Sequence, residues 1–295
     1  MTVGSFTDKQ LRVKLIMAGT NSVFPNTNSN TLTLTNLRMS ARVQTVARQS
    51  TNADISIWGM KRADMNALTV AWANPPIIRN HVVILDVNSG DGWTQLFSGT
   101  ILEAQPVYDA APNVPFRVQA ITGYFQKINP APPTSYPGSV PILQIVTDLA
   151  ARMGFTVADG GAKGVLTQPY LSGTLYDQLQ QACQAAGADF YLQGDVILVT
   201  PRGIPRAAAP SVILSPSTGL IGYPSYERAG LSLACLYRPA ILCGSPIEVR
   251  DSVVYGANGR WFPYAAEHQL ESRQPNGAWF SKLFCMRVAG EVVPP

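Results

Sequence analysis

The stretch that decides the fold is Leu37–Arg48, which reads LRMSARVQTVAR. Apolar side chains occupy alternate positions, and polar or basic side chains fill the positions between them. Alternation with a period of two places successive side chains on opposite faces of an extended strand. The pattern therefore predicts a half-buried strand with residues such as Ala41 and Val43 in a core. Its other face is basic and carries Arg38, Arg42 and Arg48.

More strands are predicted on either side of this stretch. The turn-forming run Asn88–Gly92 separates two apolar segments, which favours a β-hairpin. The polar segment Thr20–Asn30 has little apolar surface to bury, so we expect it to be exposed. Strands separated by turns in this way predict a β-barrel or sandwich. The predicted strands of this region are Arg12–Ala18, Leu37–Arg48, Ile55–Trp58, His81–Val87, Thr94–Ile101 and Phe116–Tyr124.

The pattern changes after a Pro-rich run at residues 129–138, which predicts a linker. Apolar residues then recur at helical spacing, first from an N-cap at Ser139 to a stop at Gly154 and again after Thr174. A short hairpin across Gly194-Asp195 follows. These elements predict a small α+β module of two helices and a hairpin.

A second region of β patterning begins after the linker Pro201–Pro205. The fold class is therefore mainly β with a small α+β insertion. We predict a first β-barrel in residues 1–130, the α+β module with its linkers in residues 131–205, and a second barrel in residues 206–295. Strands of the first region can complete the second barrel. The predicted strands of the last region are Ser211–Leu214, Leu231–Tyr237, Pro246–Val254, Trp261–Gln269 and Trp279–Val288.

The composition indicates a subunit of an assembly. Charged residues make up 14% of the 295 residues, whereas an average soluble domain has roughly 25%. A surface that faces water usually carries more charge, so we expect much of this surface to face other protein. Residues 1–80 are basic and residues 81–200 are acidic, which favours complementary faces. The net charge of +4 is too small to predict nucleic-acid binding.

Several classes of protein are excluded by the sequence. No stretch offers the roughly 20 apolar residues of a spanning helix, so we expect no membrane insertion. The cysteines show no C-x-x-C spacing and are expected to be reduced core residues. No metal or cofactor motif is present, and we expect neither kind of ligand. The cysteines are Cys183, Cys235, Cys243 and Cys285.

Candidate catalytic groups are scarce. The two histidines, His81 and His268, lack the spacing of a metal or catalytic motif. We expect Glu267 and Glu271 to be neighbours in a charged rim rather than an acid–base pair. The glycine-rich run Gly160–Gly164 lacks the residue order of a phosphate-binding loop, so we expect an ordinary loop. The sequence therefore predicts a protein that is not an enzyme.

The basic face with Arg38, Arg42 and Arg48 is the candidate site. Three interpretations stay open: a solvated strand face, an interface between subunits, or contact with a passing nucleic acid. Base-stacking aromatic residues do not interleave with these arginines. We therefore expect no sequence-specific recognition of nucleic acid.

Several short motifs occur in a recognisable order. They are ADISIWGM (53–60), LFSGTI (96–101), VQAITG (118–123), AGADF (186–190), LSPSTGLIG (214–222) and LCGSPIEV (242–249). This order resembles that of the hub proteins of contractile phage tail baseplates, the group that includes the T4 and Mu hub proteins and the late control protein D family. It covers most of the chain.

The resemblance implies two tube-type β-barrel domains in each chain, interrupted by the α+β module. Three chains would form a homotrimeric ring of six barrels that joins the six-fold tail tube to the three-fold central spike. Arg38, Arg42 and Arg48 would lie at the lumen or at an interface of this ring. The implied location is the tail baseplate of a virion, assembled in the host cytoplasm. The implied partners are the tail tube protein, the central spike protein, the tape measure protein and other baseplate subunits.

Alternative functions stay open beside the hub. A distal tail protein of a long flexible tail would form a six-chain ring instead of a trimer. A tail-associated cell-wall hydrolase would lose its activity on a substitution such as Glu267→Gln. A carbohydrate-binding module would need clustered aromatic residues, and the tryptophans are dispersed. A spike or lysozyme-like segment is not apparent in the sequence, so the resemblance implies that these are separate proteins.

Overall fold

The structure is a computed structural model that describes residues 9–19, 22–69, 80–207 and 209–288. As the sequence predicts, it is mainly β with an α+β block between two β regions. The helices are α1 (Arg62–Leu68), α2 (Tyr124–Ile128), α3 (Ile142–Met153) and α4 (Leu175–Ala185). The strands are β1 (Gln10–Ile16), β2 (Thr31–Leu34), β3 (Met39–Val46), β4 (Asn52–Trp58), β5 (Val82–Asn88), β6 (Trp93–Pro106), β7 (Pro115–Ile121), β8 (Thr134–Ser135), β9 (Ser139–Pro141), β10 (Thr156–Asp159), β11 (Val165–Thr167), β12 (Tyr170–Leu171), β13 (Ala188–Gln193), β14 (Val196–Pro201), β15 (Val212–Leu214), β16 (Leu220–Glu227), β17 (Gly230–Leu236), β18 (Ile247–Val249), β19 (Gly259–Ser272) and β20 (Trp279–Arg287).

Strands from both β regions share one large sheet. Its order is β16-β17-β20-β19-β3-β4-β7-β6-β5-β1-β2, with β18 paired to β19 and β15 paired to β18. Strand β3 is antiparallel to β4 on one side and to β19 on the other. The β3–β19 ladder runs from Val46 opposite Ala265 to Met39 opposite Ser272. The C-terminal β region thus continues the N-terminal one through a single ladder.

Buried apolar side chains form three clusters. The first cluster is built by β1–β7 and α1, together with Tyr237, Leu270 and Trp279 from the C-terminal region. The second cluster lies inside the α+β block, between α3, α4 and the β13–β14 hairpin. The third cluster is built mainly by the C-terminal strands. Each fully buried aliphatic or aromatic side chain contributes about 1.5–3 kcal/mol, so these clusters are the main source of stability.

The β13–β14 hairpin belongs to two of these clusters. Phe190 and Val199 are buried in the second cluster, whereas Tyr191 and Leu198 are buried in the third. Alternate residues of a strand point to opposite faces, so both faces of the hairpin are covered. This double burial explains why the two strands are almost continuously apolar.

The ends of the helices in the α+β block follow from local chemistry. Helix α4 begins with a capping box: Thr174 Oγ1 accepts from the Asp177 N–H, and the Asp177 carboxylate accepts from the Thr174 N–H. Helix α3 ends at Gly154, whose φ of 79° is left-handed. The predicted N-cap at Ser139 is wrong. Ser139 lies in β9, which pairs with β11, and the helix begins only after Pro141.

Some expectations about loops and strand ends also differ from the structure. In the segment Thr20–Asn30, expected to be exposed, Phe24 is buried in the first cluster because it closes a tight turn with Ser29. Thr20 and Asn21 lie outside the described residues. Tyr124, expected at the end of a strand, lies in α2, because Gly123 with a φ of 73° turns the chain out of β7. Strands β2, β8, β9, β10, β11, β12 and β16 have no counterpart among the predicted strands.

Candidate functional site: a polar face on the central sheet

Strand β3 shows the predicted alternation. Its odd-numbered residues from Met39 to Val43 are buried in the first cluster. Ser40, Arg42 and Gln44 lie on the opposite face, where the Arg42 side chain is 54% exposed. The sequence therefore assigns the two faces of this strand correctly.

The face that contains Arg42 continues across neighbouring strands. Residues directly opposite each other in an antiparallel pair point to the same side of the sheet. From Arg42, the register leads to Asp54 on β4, then to Gln119 on β7 and Glu103 on β6. In the other direction it leads to Gln269 on β19. We call this surface the polar face, and its members are Arg38, Ser40, Arg42, Gln44, Asn52, Asp54, Ser56, Glu103, Gln105, Arg117, Gln119, Glu267, Gln269, Glu271 and Lys282.

The best-defined ion pair of the polar face joins β3 to β19. Arg42 Nε lies 2.7 Å from Glu267 Oε1, and the side chains of Gln44 and Gln269 donate to the same carboxylate. Burial alone would raise the pKa of Glu267, but the hydrogen bonds outweigh it and the pKa is lowered. The hydrogen bond to Glu267 raises the pKa of Arg42. Glu267 is thus ionised, and its carboxylate oxygens already contact three side chains. A catalytic acid, in contrast, needs a raised pKa.

Other charges of the polar face are also matched across strands. Arg117 Nη2 lies 3.2 Å from Asp54 Oδ1. Lys282 lies directly opposite Glu267 in the β19–β20 ladder. Exposed pairs of this kind contribute only about 0–1 kcal/mol each. Their main effect is therefore on the electrostatic potential of the face and not on the stability of the sheet.

Two of the three predicted arginines lie together on this face. Arg38 precedes β3 and lies at an even-numbered position, as Arg42 does. Its Nε donates to the Gln274 side chain at 2.9 Å, and its guanidinium carbon lies 4.5 Å from the centre of the Trp58 ring. The aromatic contact and the hydrogen bond fix the guanidinium against the sheet.

Arg48 lies elsewhere and contacts the α+β block. It occupies the turn after β3 with a φ of 60°, so the alternation does not extend to it. Its Nε lies 3.3 Å from Asp189 Oδ1, its N–H donates to the Phe190 carbonyl, and its carbonyl accepts from the Tyr176 hydroxyl. Arg48 therefore connects the β3–β4 turn to the block and is not part of the polar face.

Sequence reasoning did not identify the acidic and amide partners of the arginines. A signal was present, because Asn52, Asp54 and Ser56 alternate with apolar residues just as the β3 residues do. Glu267 and Glu271 both lie on the polar face, but Gln269 lies between them on β19, so they are not the direct neighbours in a charged rim that the sequence led us to expect. The sequence could not show which strand pairs with β3.

The two histidines and the four cysteines are buried. Among the described residues, no group of three or more His, Cys, Asp or Glu side chains could hold a metal ion. The cysteines are free and buried, as predicted. His268 is buried with its Nδ1 2.8 Å from Ser281 Oγ, and burial lowers its pKa to about 4. Over the same parts of the chain, no helix has the length and apolar content needed to cross a membrane.

Comparison with known proteins assigns the family. The model of the family described as baseplate hub gp41 matches residues 2–282, which is nearly the whole chain. The chain belongs to the baseplate hub gp41 family. This result confirms the resemblance to phage baseplate hubs that the order of the motifs indicates. No curated protein sequence matches the chain.

Solved structures share the fold of this hub-family member at low sequence identity. A tail protein from Neisseria meningitidis MC58 has a TM-score of 0.63 at 12% identity, and the match covers 95% of this chain and 97% of that chain. The E. coli c3393 protein, a type VI secretion component similar to the T4 tail proteins gp27 and gp5, has a TM-score of 0.59 at 10% identity, with 95% and 79% covered. The 43 kDa tail protein of prophage MuSo2 from Shewanella oneidensis has a TM-score of 0.57 at 12% identity, with 94% and 98% covered. These likenesses establish the fold.

Proposed function

We propose that the protein is the structural hub of a phage tail baseplate, in which three copies form a ring between a six-fold tail tube and a three-fold central spike. The observation that carries this proposal is the β3–β19 ladder. It joins two β regions, each with its own apolar cluster, into one sheet with a continuous polar face. Three chains with two such regions each would supply six units around an axis.

In this ring the polar face would line the channel. The cores of protein interfaces are enriched in aromatic residues, Met and Arg, and depleted in Ser, Asp, Glu and Lys. The polar face has a different composition, since most of its side chains are Ser, Asn, Gln or charged, although Trp58, Ile121 and Phe280 lie on the same side of the sheet. The acidic and amide neighbours of Arg38 and Arg42 therefore favour a position at the lumen over one at an interface between subunits.

Another surface suits contacts with partner chains. Strand β16 lies at one end of the sheet order, and its Tyr226 is exposed. Val253 and Tyr255 are also exposed, and the Tyr226 hydroxyl lies beside Gly256, so the two stretches are neighbours. Contiguous exposed apolar side chains mark protein–protein contacts. We assign this surface to contacts within the baseplate.

The native mass of the purified protein, alone and mixed with a candidate spike protein, tests the proposal. A species of three times the 31.8 kDa chain mass in either sample supports the hub. A six-chain species would favour a distal tail ring, and a monomer in both samples would contradict the proposal. Tyr226→Asp/Tyr255→Asp should weaken the assembly, whereas Tyr108→Asp, at another exposed tyrosine, should leave it intact.

A zymogram on peptidoglycan tests the hydrolase alternative. We expect no clearing, because Glu267 is held ionised by Arg42 and two glutamines. Clearing by the purified protein that disappears in Glu267→Gln would overturn the structural interpretation.

A further inference from the structure

On β3 with the preceding Arg38, on β4, β6, β7 and β20, and on the part of β19 that pairs with β3, the polar face contains as many acidic as basic side chains, although the whole chain has a net charge of +4. The basic members are Arg38, Arg42, Arg117 and Lys282. The acidic members are Asp54, Glu103, Glu267 and Glu271. The excess positive charge of the chain therefore lies outside this face.

The balance is also local. Arg42 is 2.7 Å from Glu267, and Arg117 is 3.2 Å from Asp54, so each of these arginines has an acid on the next strand. Opposite charges this close largely cancel at distances beyond their own separation. Ions at physiological strength screen the remaining field within about 8 Å. A molecule that moves over the face would therefore meet little net charge.

We propose that this local balance of opposite charges keeps a polyanion from binding to the polar face as it moves along it. The inference rests on the proposed function, in which the face lines the channel of the ring. A polyanion binds a surface more tightly as more cations replace its counterions. Without their acidic partners, the same basic side chains, repeated in each copy, would form a ring of cations well suited to bind phosphates.

The test removes acids from the face without changing their shape. The variant is Asp54→Asn/Glu267→Gln, and the probe is a short fluorescent DNA duplex of mixed sequence. At low salt we expect little binding by the wild type and at least about tenfold tighter binding by the variant. The gain should disappear as the salt concentration rises, because it depends on released counterions.

A matched control separates the face from the overall charge. Asp148→Asn/Asp159→Asn changes the net charge by the same amount, but both residues lie in the α+β block. This control should bind DNA as weakly as the wild type. Adding Arg42→Gln/Arg117→Gln to Asp54→Asn/Glu267→Gln restores the balance and should remove the binding. If the double variant is unstable, Asp54→Asn alone, at a half-exposed side chain, should give a smaller gain.

Two results would overturn the inference: wild-type protein that binds as tightly as the variant, or a control variant that gains as much affinity. The native mass of each sample in the same buffer separates this inference from the proposed hub. Trimeric protein without the expected gain in affinity contradicts the charge balance alone. Protein that stays monomeric in every sample, also with the spike, contradicts the hub.

Discussion

Neighbouring residues of β3 face opposite environments, and Val43 tests how strongly this matters. Its side chain is buried in the first cluster, opposite Ala53 on β4 and His268 on β19. We predict that Val43→Asp does not fold, because an unpaired buried carboxylate costs on the order of several kcal/mol, which is comparable with the stability of a domain. The measurement is the recovery of soluble protein that unfolds cooperatively in urea at pH 8, where His268 is neutral.

Ser56→Asp is the matched control for this prediction. Ser56 belongs to the polar face and lies opposite Arg117, so an added carboxylate would meet water and a cation. We expect the stability of this variant to stay within about 0.5 kcal/mol of the wild type. Soluble, cooperatively unfolding Val43→Asp protein would show that the faces of β3 are assigned the wrong way round.

His268 gives the protein a pH-dependent stability. Burial lowers its pKa to about 4, although the charge of Glu267 acts in the opposite direction, whereas an unfolded histidine titrates near 6.5. Below pH 6.5 the histidine of the unfolded chain therefore binds a proton, whereas His268 of the folded protein stays neutral until about pH 4. We predict that this group lowers the free energy of unfolding by up to about 3 kcal/mol between pH 6.5 and pH 4.

The measurement for His268 is the thermal midpoint of unfolding at pH 7 and pH 4.5, for the wild type and His268→Gln. The midpoint of the wild type should fall more than that of the variant, because all other titrating groups are shared. Equal falls in the two proteins would show that His268 contributes nothing to the pH dependence.

At the scale of elements, locally encoded features could be predicted and those formed by distant pairing could not. The β5–β6 hairpin was predictable because Asn88–Gly92 carries its own turn chemistry, with Asn88 Oδ1 accepting from the Gly90 and Gly92 N–H groups. Strand β16 was missed because Gly222 and Pro224 interrupt its pattern. The polar face needed the register of β3 against β19, and no local pattern encodes that.

The capping box of α4 gives a prediction about one such local element. Thr174→Ala removes the hydroxyl that accepts from the Asp177 N–H, so we expect a loss of about 1 kcal/mol in the free energy of unfolding. Urea unfolding monitored by circular dichroism measures it. Thr147→Ala in α3 is the control, since its hydroxyl only donates to the Leu143 carbonyl within the helix. A control that loses as much stability as Thr174→Ala would contradict the capping role.

At the scale of the molecule, the reactivity of the cysteine thiols shows whether the second and third apolar clusters unfold together. Cys183 lies in the second cluster, and Cys235, Cys243 and Cys285 lie in the third. Because the β13–β14 hairpin is buried in both clusters, we predict that all four thiols react with Ellman's reagent in one phase as urea unfolds the protein. Burial raises the pKa of Cys183 to about 12, which also predicts negligible reaction in the native state. An earlier, separate phase for Cys183 would show that residues 131–205 unfold as an independent domain.

The β3–β19 ladder also has a consequence for biosynthesis. Gln44 and Glu267, which hydrogen-bond across it, are 223 residues apart in the chain. A ribosome that adds about 5–20 residues per second would release β3 roughly 10–45 s before its partner strand. During that interval the nascent chain presents an unpaired strand edge that other chains could join. Completion of the C-terminal strands is therefore the event that ends the exposure of the nascent chain to aggregation.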